Sequence, residues 1–177
     1  MMDFYTLNFG NHKRMLPIVA LTPRIKVASI NFLGDRELVN YFAKELKKKI
    51  ENIDFDYLVG PEVKVVPILH ELTDLLDKDR YIVCRKEIHG YMVSPKKTDG
   101  RQGLVIDGAD AEIIKDKKVI ILDDVVSSGR TLKEVSLLMN YCGAEVVAYV
   151  SVFRQIIELP DDFKDLIYIG TLPVFTT

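Results

Sequence analysis

The chain has 177 residues, 48 % of them hydrophobic, and a formal net charge of -2. That length suits one compact domain, and the hydrophobic share is too high for a disordered chain. The near-neutral charge gives no footing for nucleic acid or an anionic membrane as a general partner, the two cysteines, Cys84 and Cys142, make no disulfide framework or metal-ligand spacing, and no apolar run approaches the roughly 18 residues of a membrane helix.

Residues 1–10 lack the basic start and apolar run of a secretory signal, so a soluble cytoplasmic protein is expected. Residues 1–34 carry scattered apolar positions with Pro17 and Pro23, which predicts irregular structure or short strands. Asp35 is placed to cap a helix whose apolar stripe is Leu38, Phe42, Leu46 and Ile50. Tyr57-Leu58-Val59 reads as a short buried strand stopped by Gly60-Pro61. A second helix starts near Pro67, a residue suited to a first turn, with Ile68, Leu69, Leu72, Leu75 and Leu76 facing inward. Tyr81-Ile82-Val83-Cys84 is the next strand. Residues 85–103 have no period and read as a long surface loop, a lid in the making. Leu104-Val105-Ile106 returns as a strand, and Val119-Ile120-Ile121-Leu122 is the strongest strand signal, apolar throughout as in a sheet covered on both faces. A helix from about Arg130 turns Leu132, Val135, Leu138 and Cys142 to one side and ends at Gly143. Strands at 146–153 and 166–169 follow. The alternation predicts an α/β fold with a mostly parallel central sheet flanked by helices.

The candidate chemistry gathers in Leu122-Asp123-Asp124-Val125-Val126-Ser127-Ser128-Gly129-Arg130-Thr131, where a strand ends and a helix begins. Ligands of open α/β sheets bind past the carboxyl ends of the strands. A helix start offers free N–H groups and the positive end of the dipole, which suits a phosphate. Ser127, Ser128 and Thr131 add hydroxyl donors, and Gly129 lets the backbone curl around an anion. Asp123 and Asp124 are acceptors suited to a sugar diol, and can organise Mg²⁺ through waters.

The complete pattern, four apolar residues, two acids, two apolar residues, then small-small-Gly-x-Thr, resembles the phosphoribosyl pyrophosphate signature of type I phosphoribosyltransferases. Leu58-Val59-Gly60-Pro61-Glu62-Val63-Lys64 is similar to the Val-Gly-Pro-Glu-Ala-Arg-Gly segment of the adenine-specific branch, and Cys84-Arg85-Lys86 to its Val-Arg-Lys strand end. The resemblance implies that Asp123 and Asp124 are catalytic, gripping the ribose, and that Val126, Ser127, Ser128, Gly129, Arg130 and Thr131 hold the ribose 5-phosphate. It further implies that Glu62, Val63, Lys64, Arg85 and Lys86 bind pyrophosphate, in part through backbone groups around a non-proline cis peptide. Lys64 stands where the family has Arg, and Val65 where it has Gly. A Lys neutralises phosphate but lacks the bidentate fork. Lys96, Lys97, Arg101 and His89 lie on the loop that the resemblance makes a mobile cover.

The branch's Phe-Arg-Asp-Ile run before the first helix is absent at 26–32, and so is its Glu-Tyr on the loop. Phe32 and Phe153 are the candidate stacking partners for a base. What the resemblance implies overall is one domain spanning 1–177, with a core of about 35–155 and a small hood from about 1–34 and 156–177. Its expected substrates are phosphoribosyl pyrophosphate with Mg²⁺ and a nucleobase, purine and most of all adenine; the expected assembly is a homodimer. The alternatives are a ligand-sensing regulator on the same fold and an orotate-type pyrimidine enzyme.

Overall fold

A computed structural model describes residues 3–87, 90–93, 103–155 and 160–176. Asp35 caps helix α1 (Arg36–Ile50), its side chain accepting the Leu38 N–H at 3.0 Å, and Leu38, Phe42, Leu46 and Ile50 form the buried stripe. Strand β4 (Tyr57–Pro61) follows; the ladder carries through Gly60 and Pro61, which the sequence reading treats as the stop. Gly60 is required there by space, because a Cβ would meet the Leu122 carbonyl oxygen at 2.6 Å. Helix α2 (Val66–Leu75) starts with Pro67 in its first turn and buries Ile68, Leu69 and Leu72; Leu75 and Leu76 are only half-buried. Strand β5 is Tyr81–Cys84.

Strand β8 (Lys118–Val126) is central in a five-stranded sheet of order β10-β9-β8-β4-β5, with β9 at Glu145–Arg154 and β10 at Ile167–Thr171. Every pairing in that sheet is parallel. Ile120 and Leu122 enter the core against α1 and α2, whereas Val119 and Ile121 enter the core under helix α4 (Arg130–Tyr141). Such two-sided burial selects a continuous apolar strand. Gly143, at φ +78, follows the α4 cap residue Cys142. The chain leaves β4 through α2 toward one edge and leaves β8 through α4 toward the other. The strand order therefore reverses between β4 and β8, the place where an open sheet parts to admit a ligand.

The opening segment is more regular than its prolines suggest. Strands β1 (Phe4–Phe9), β2 (His12–Thr22) and β3 (Ile25–Ala28) join β11 (Val174–Thr176) in a four-stranded antiparallel sheet. Pro17 is tolerated because it lies one residue beyond the last β2–β3 rung, Ile18↔Ala28, while its carbonyl accepts the Ser29 N–H at 2.9 Å. Of the 85–103 loop expected from the sequence, residues 88–89 and 94–102 lie outside the described residues, and the described ones include pairings. Met92–Val93 (β6) pairs with Ile106–Asp107 (β7), and Arg85 bridges Val105. Buried Val105 and Ile106 supply the fixed edge on which these pairings form. A short helix α3 (Gly108–Ile114), capped by Asp107, is an element that the sequence pattern does not announce, since Ile114 is its one buried residue. No helix among the described residues is long and apolar enough to cross a membrane.

The antiparallel sheet is tied to the core through Arg14. Its Nε and one terminal nitrogen contact the two Asp35 oxygens at 2.6 and 3.1 Å, and the guanidinium also reaches Glu37 at 2.6 Å. The Arg14 hydrogen bonds hold the Asp35 carboxyl below its ordinary range. The folded value is the lower one, so this pair stabilises the protein above the ordinary Asp value and the gain is lost as pH falls through the folded value. Asp35→Ala, which removes cap and ion pair together, is expected to lower the melting temperature by about 2–4 °C for each kcal/mol, with the cap alone giving about 1 kcal/mol. Asp35→Asn keeps the cap and should recover part of that loss at pH 7. The gap between the wild type and the Asn variant should shrink as pH falls below the ordinary Asp value and close only below the lowered folded value, in thermal melts followed by circular dichroism; a constant gap would refute the ion pair's role.

Candidate active site

The carboxyl ends of β4 and β8 open onto a cleft of about 220 Å³ lined by Pro61, Glu62, Lys64, Val65, Lys86, Leu104, Asp123, Asp124, Val125, Thr131 and Glu134. A smaller recess of about 30 Å³ adjoins it, walled by Asp123 and the turn from Val125 through Leu132. The first expectation to change is the setting of the two acids. The sequence reading ends the strand at Leu122, just before them, whereas β8 runs on through both to Val126, with Asp123 opposite Ser151 and Val125 opposite Phe153. The long partner strand β9 carries the ladder past the apolar run.

Asp123 is only 7 % exposed, and its Oδ1 accepts the Asp124 N–H at 2.8 Å. Burial and then the adjacent Asp124 carboxyl push the Asp123 carboxyl well above its ordinary value, while Lys64 acts in the opposite sense. Asp124 is half-buried on the same cleft. Beyond Val126, which is buried, Ser127 and Ser128 are exposed and Gly129 takes φ +73 at the cap of α4. No L side chain fits at 129 on two counts: the left-handed backbone, and a Cβ that would meet the Phe163 ring at 2.7 Å. The turn brings Ser127, Ser128, Gly129, Arg130 and Thr131 round the small recess at the positive end of a twelve-residue helix.

Across the cleft, β4 ends in a turn whose Glu62–Val63 peptide is cis, at the place implied by the resemblance. The Glu62 N–H donates to the Cys84 carbonyl at 2.8 Å, so the ends of β4 and β5 are stitched together. Lys64 and Lys86 line the cleft. Arg85 pairs through Nε with Glu62 Oε2 at 3.4 Å, and Val63 is exposed; neither Arg85 nor Val63 is part of the cleft wall. Phe32 and Phe153 are placed elsewhere, at 0 % and 3 % exposed in the core, each edge-on to Phe42 with ring centroids 6.0 and 5.0 Å away. Neither ring presents a face to the cleft. His89, Lys96, Lys97 and Arg101 lie outside the described residues.

Two cleft residues escape the sequence reading. Glu134 shares the α4 face of Thr131 by the three-residue spacing, a signal that was available. Leu104 reaches the cleft only through the pairing of Arg85 with Val105 beside it, which no local pattern encodes. Among the described residues no cluster of three or more His, Cys, Asp or Glu is arranged to hold a metal ion. The donor set of the cleft, the carboxyl groups of Glu62, Asp123, Asp124 and Glu134 with the lysines Lys64 and Lys86, fits Mg²⁺ carried by a phosphorylated ligand and bound through waters, the usual mode for that cation.

An acid pair on the last residues of the central strand, the start of a helix and a wall bearing Lys64 and Lys86 thus meet in one cleft of an α/β fold. Residues 36–173 match the family described as phosphoribosyl transferase domain, and the chain belongs to the type I phosphoribosyltransferases. It is 30 % identical over 69 % of its length to "HGPRTase-like protein 3" of Haloterrigena turkmenica, spanning 65 % of that protein. It is 33 % identical over 66 % of its length to an adenine phosphoribosyltransferase of Thermosipho africanus, spanning 69 % of it. It is also 29 % identical over 70 % of its length to the transcriptional regulator GfcR of Methanocaldococcus jannaschii, spanning 60 % of it. The alignments thus cover about two thirds of these relatives. The crystal structure of an adenine phosphoribosyltransferase from Thermoanaerobacter pseudethanolicus superposes with a TM-score of 0.70, at 21 % identity, over 88 % of this chain and 95 % of that one, which establishes the fold.

The burial of Asp123 has a consequence for stability. Its folded-state pKa is raised, so the native protein holds a proton that the unfolded chain releases near the ordinary Asp value, and stability falls as pH rises from there through the folded value. Asp123→Asn removes this cost and retains an acceptor for the Asp124 N–H. The variant should melt higher than wild type at pH 7.5, by about 2–4 °C per kcal/mol recovered, with the gap closing toward pH 4. A gap that does not change with pH would show that ionisation of Asp123 is not the source.

Proposed function

We propose that this protein is a purine phosphoribosyltransferase, with adenine the favoured base, that makes a nucleoside monophosphate and pyrophosphate from phosphoribosyl pyrophosphate. The observation that carries this reading is the single cleft in which Asp123 and Asp124 stand between the α4 start and a wall bearing Lys64 and Lys86. Its three parts match the three parts of the sugar substrate. The recess at Val126, Ser127, Ser128, Gly129, Arg130 and Thr131 takes the 5-phosphate, the acids accept from the ribose hydroxyls, and Lys64 and Lys86 with the Glu62–Val63 turn take the pyrophosphate, joined by Arg85, which rests on Glu62 beside the cleft wall and turns toward the diphosphate.

The reaction exchanges pyrophosphate for a base nitrogen at the anomeric carbon, through a transition state with oxocarbenium character. The chain's contribution is electrostatic and positional. Asp123 and Asp124 orient the sugar, the Asp124 carboxylate favours its developing positive charge, and the lysines and Arg85 take up charge on the leaving group. Asp123 and Asp124 would help hold Mg²⁺ through waters, and the cation would supply further neutralisation of that charge. Among the described residues of the cleft no side chain is placed as a covalent nucleophile. The setting proposed is nucleotide salvage in the cytoplasm, by a homodimer.

A second reading, a ligand-sensing regulator that binds without turnover, is favoured by the likeness to GfcR. A turnover assay with labelled phosphoribosyl pyrophosphate and a panel of bases separates the two. Pyrophosphate release dependent on a purine supports the enzyme, release with orotate alone moves the substrate to the pyrimidines, and binding with no release supports the regulator.

Asp123→Asn with Asp124→Asn should leave the fold intact and reduce turnover by about a hundredfold or more, the scale of losing transition-state charge stabilisation. Wild-type turnover in that double variant would remove the acids from the mechanism. Arg85→Ala should weaken phosphoribosyl pyrophosphate by about tenfold, as for loss of one charged hydrogen bond, and leave the nucleoside monophosphate nearly unaffected. Equal weakening of both ligands would count against a pyrophosphate role for Arg85.

A further inference from the structure

Glu62 presents an electrostatic contradiction. A carboxylate on the wall that receives a diphosphate has the wrong sign for its ligand, yet Glu62 lines the cleft beside Lys64 and Lys86. Its contacts resolve this. The backbone N–H donates to the Cys84 carbonyl at 2.8 Å, Oε1 accepts the Lys86 backbone N–H at 3.0 Å, and Oε2 lies 3.4 Å from Arg85 Nε. Three consecutive residues at the end of β5 are thus fixed by one residue at the end of β4. Arg85 is engaged through Nε at a long distance and not by the two-nitrogen fork that an ideal carboxylate pair uses. The pair restrains the guanidinium without saturating its five donors.

Resting on the proposed reading of the cleft, we infer that Glu62 is a positioning residue and not a ligand group. It holds Arg85 and the Lys86 peptide at the diphosphate side of the site, and it is a counter-charge for Arg85 when no diphosphate is bound. Glu62 sets preference for a diphosphate ligand over a monophosphate one through the residues it holds. The opposing effects have opposite signs. Removing a charge that merely repels would tighten diphosphate binding, whereas removing a brace weakens it.

Calorimetric affinities of the full chain for phosphoribosyl pyrophosphate with Mg²⁺, inorganic pyrophosphate and adenosine monophosphate test this without requiring turnover. Glu62→Ala is expected to weaken both diphosphates about tenfold, the loss of one charged hydrogen bond, with the monophosphate changed by less than about twofold. Glu62→Gln keeps an acceptor for the Lys86 N–H and should stay within about threefold of wild type, a rescue by the conservative side chain. Unchanged or tighter diphosphate binding by Glu62→Ala overturns the inference, and so does equal weakening of the monophosphate, which marks general damage. Should Glu62→Ala not fold, Glu62→Gln decides alone: diphosphate binding tightened by more than about threefold overturns the brace, and binding within that range supports it. Wild-type protein that binds none of the three ligands overturns the reading of the cleft and this inference together, whereas wild-type binding with no effect at Glu62 overturns this inference alone.

Discussion

Asp123 sits on the central strand of the sheet, buried, directly after the apolar run Val119–Leu122 of β8. Taking a carboxyl out of water disfavours its charged form, and a second carboxyl at Asp124 disfavours it further. A protein seeking only stability would place an apolar residue there. The neighbouring architecture is what makes an acid useful at that point. The chain turns at once into Gly129 and the α4 start, whose N–H groups and dipole carry positive potential, and Lys64 faces the acids from the other wall. The site is thus a ridge of hydrogen-bond acceptors between two positive surfaces. That alternation is what the proposed substrate, a sugar with hydroxyls in the middle and phosphates at both ends, would require.

The ridge needs the two positive surfaces at a fixed distance, and the sheet order supplies this. β4 and β8 pair from Tyr57 to Val59 and part beyond Gly60, where the close approach to the Leu122 carbonyl leaves no room for a side chain. Beyond that point β4 turns to be stitched to β5 through Glu62, and β8 runs on beside β9 to Val126. The cleft is the gap left by two strands that take different partners. Its walls are backbone structures closed by hydrogen bonds, so the geometry offered to a ligand depends little on flexible side chains.

What could be read from residues alone follows the same division. The strand-to-helix turn at 122–131 is a local pattern, and the structure brings its exposed members round one recess. The α1 stripe and the Asp35 cap are local as well. The missing parts are non-local. The extent of β8 is set by β9, the hairpin of Met92–Val93 with Ile106–Asp107 by pairing across a long interval, and the antiparallel sheet by β11 from the far end of the chain. Leu104 enters the cleft by the same kind of long-range pairing. Phe32 and Phe153 illustrate the opposite error. An aromatic residue near a strand end has the chemistry to stack on a base, but here both rings are taken up by Phe42.

That use of the two rings carries its own logic. Phe42 on α1 contacts Phe9 of β1, Phe32 of the connecting segment, Tyr41 beside it and Phe153 of β9, with centroids 5.0–6.0 Å apart. Each such pair contributes roughly 0.5–1.5 kcal/mol beyond the area it buries. The cluster therefore joins the antiparallel sheet, the first helix and the central sheet at one point. Arg14 with Asp35, and the Gln155 side-chain amide donating to the Ala28 carbonyl at 2.8 Å, add polar ties between the same parts. The antiparallel sheet is held by packing at its centre and by hydrogen bonds at its rim. The rings of Phe32 and Phe153 are thus spent in holding these parts together and are not in the wall of the cleft.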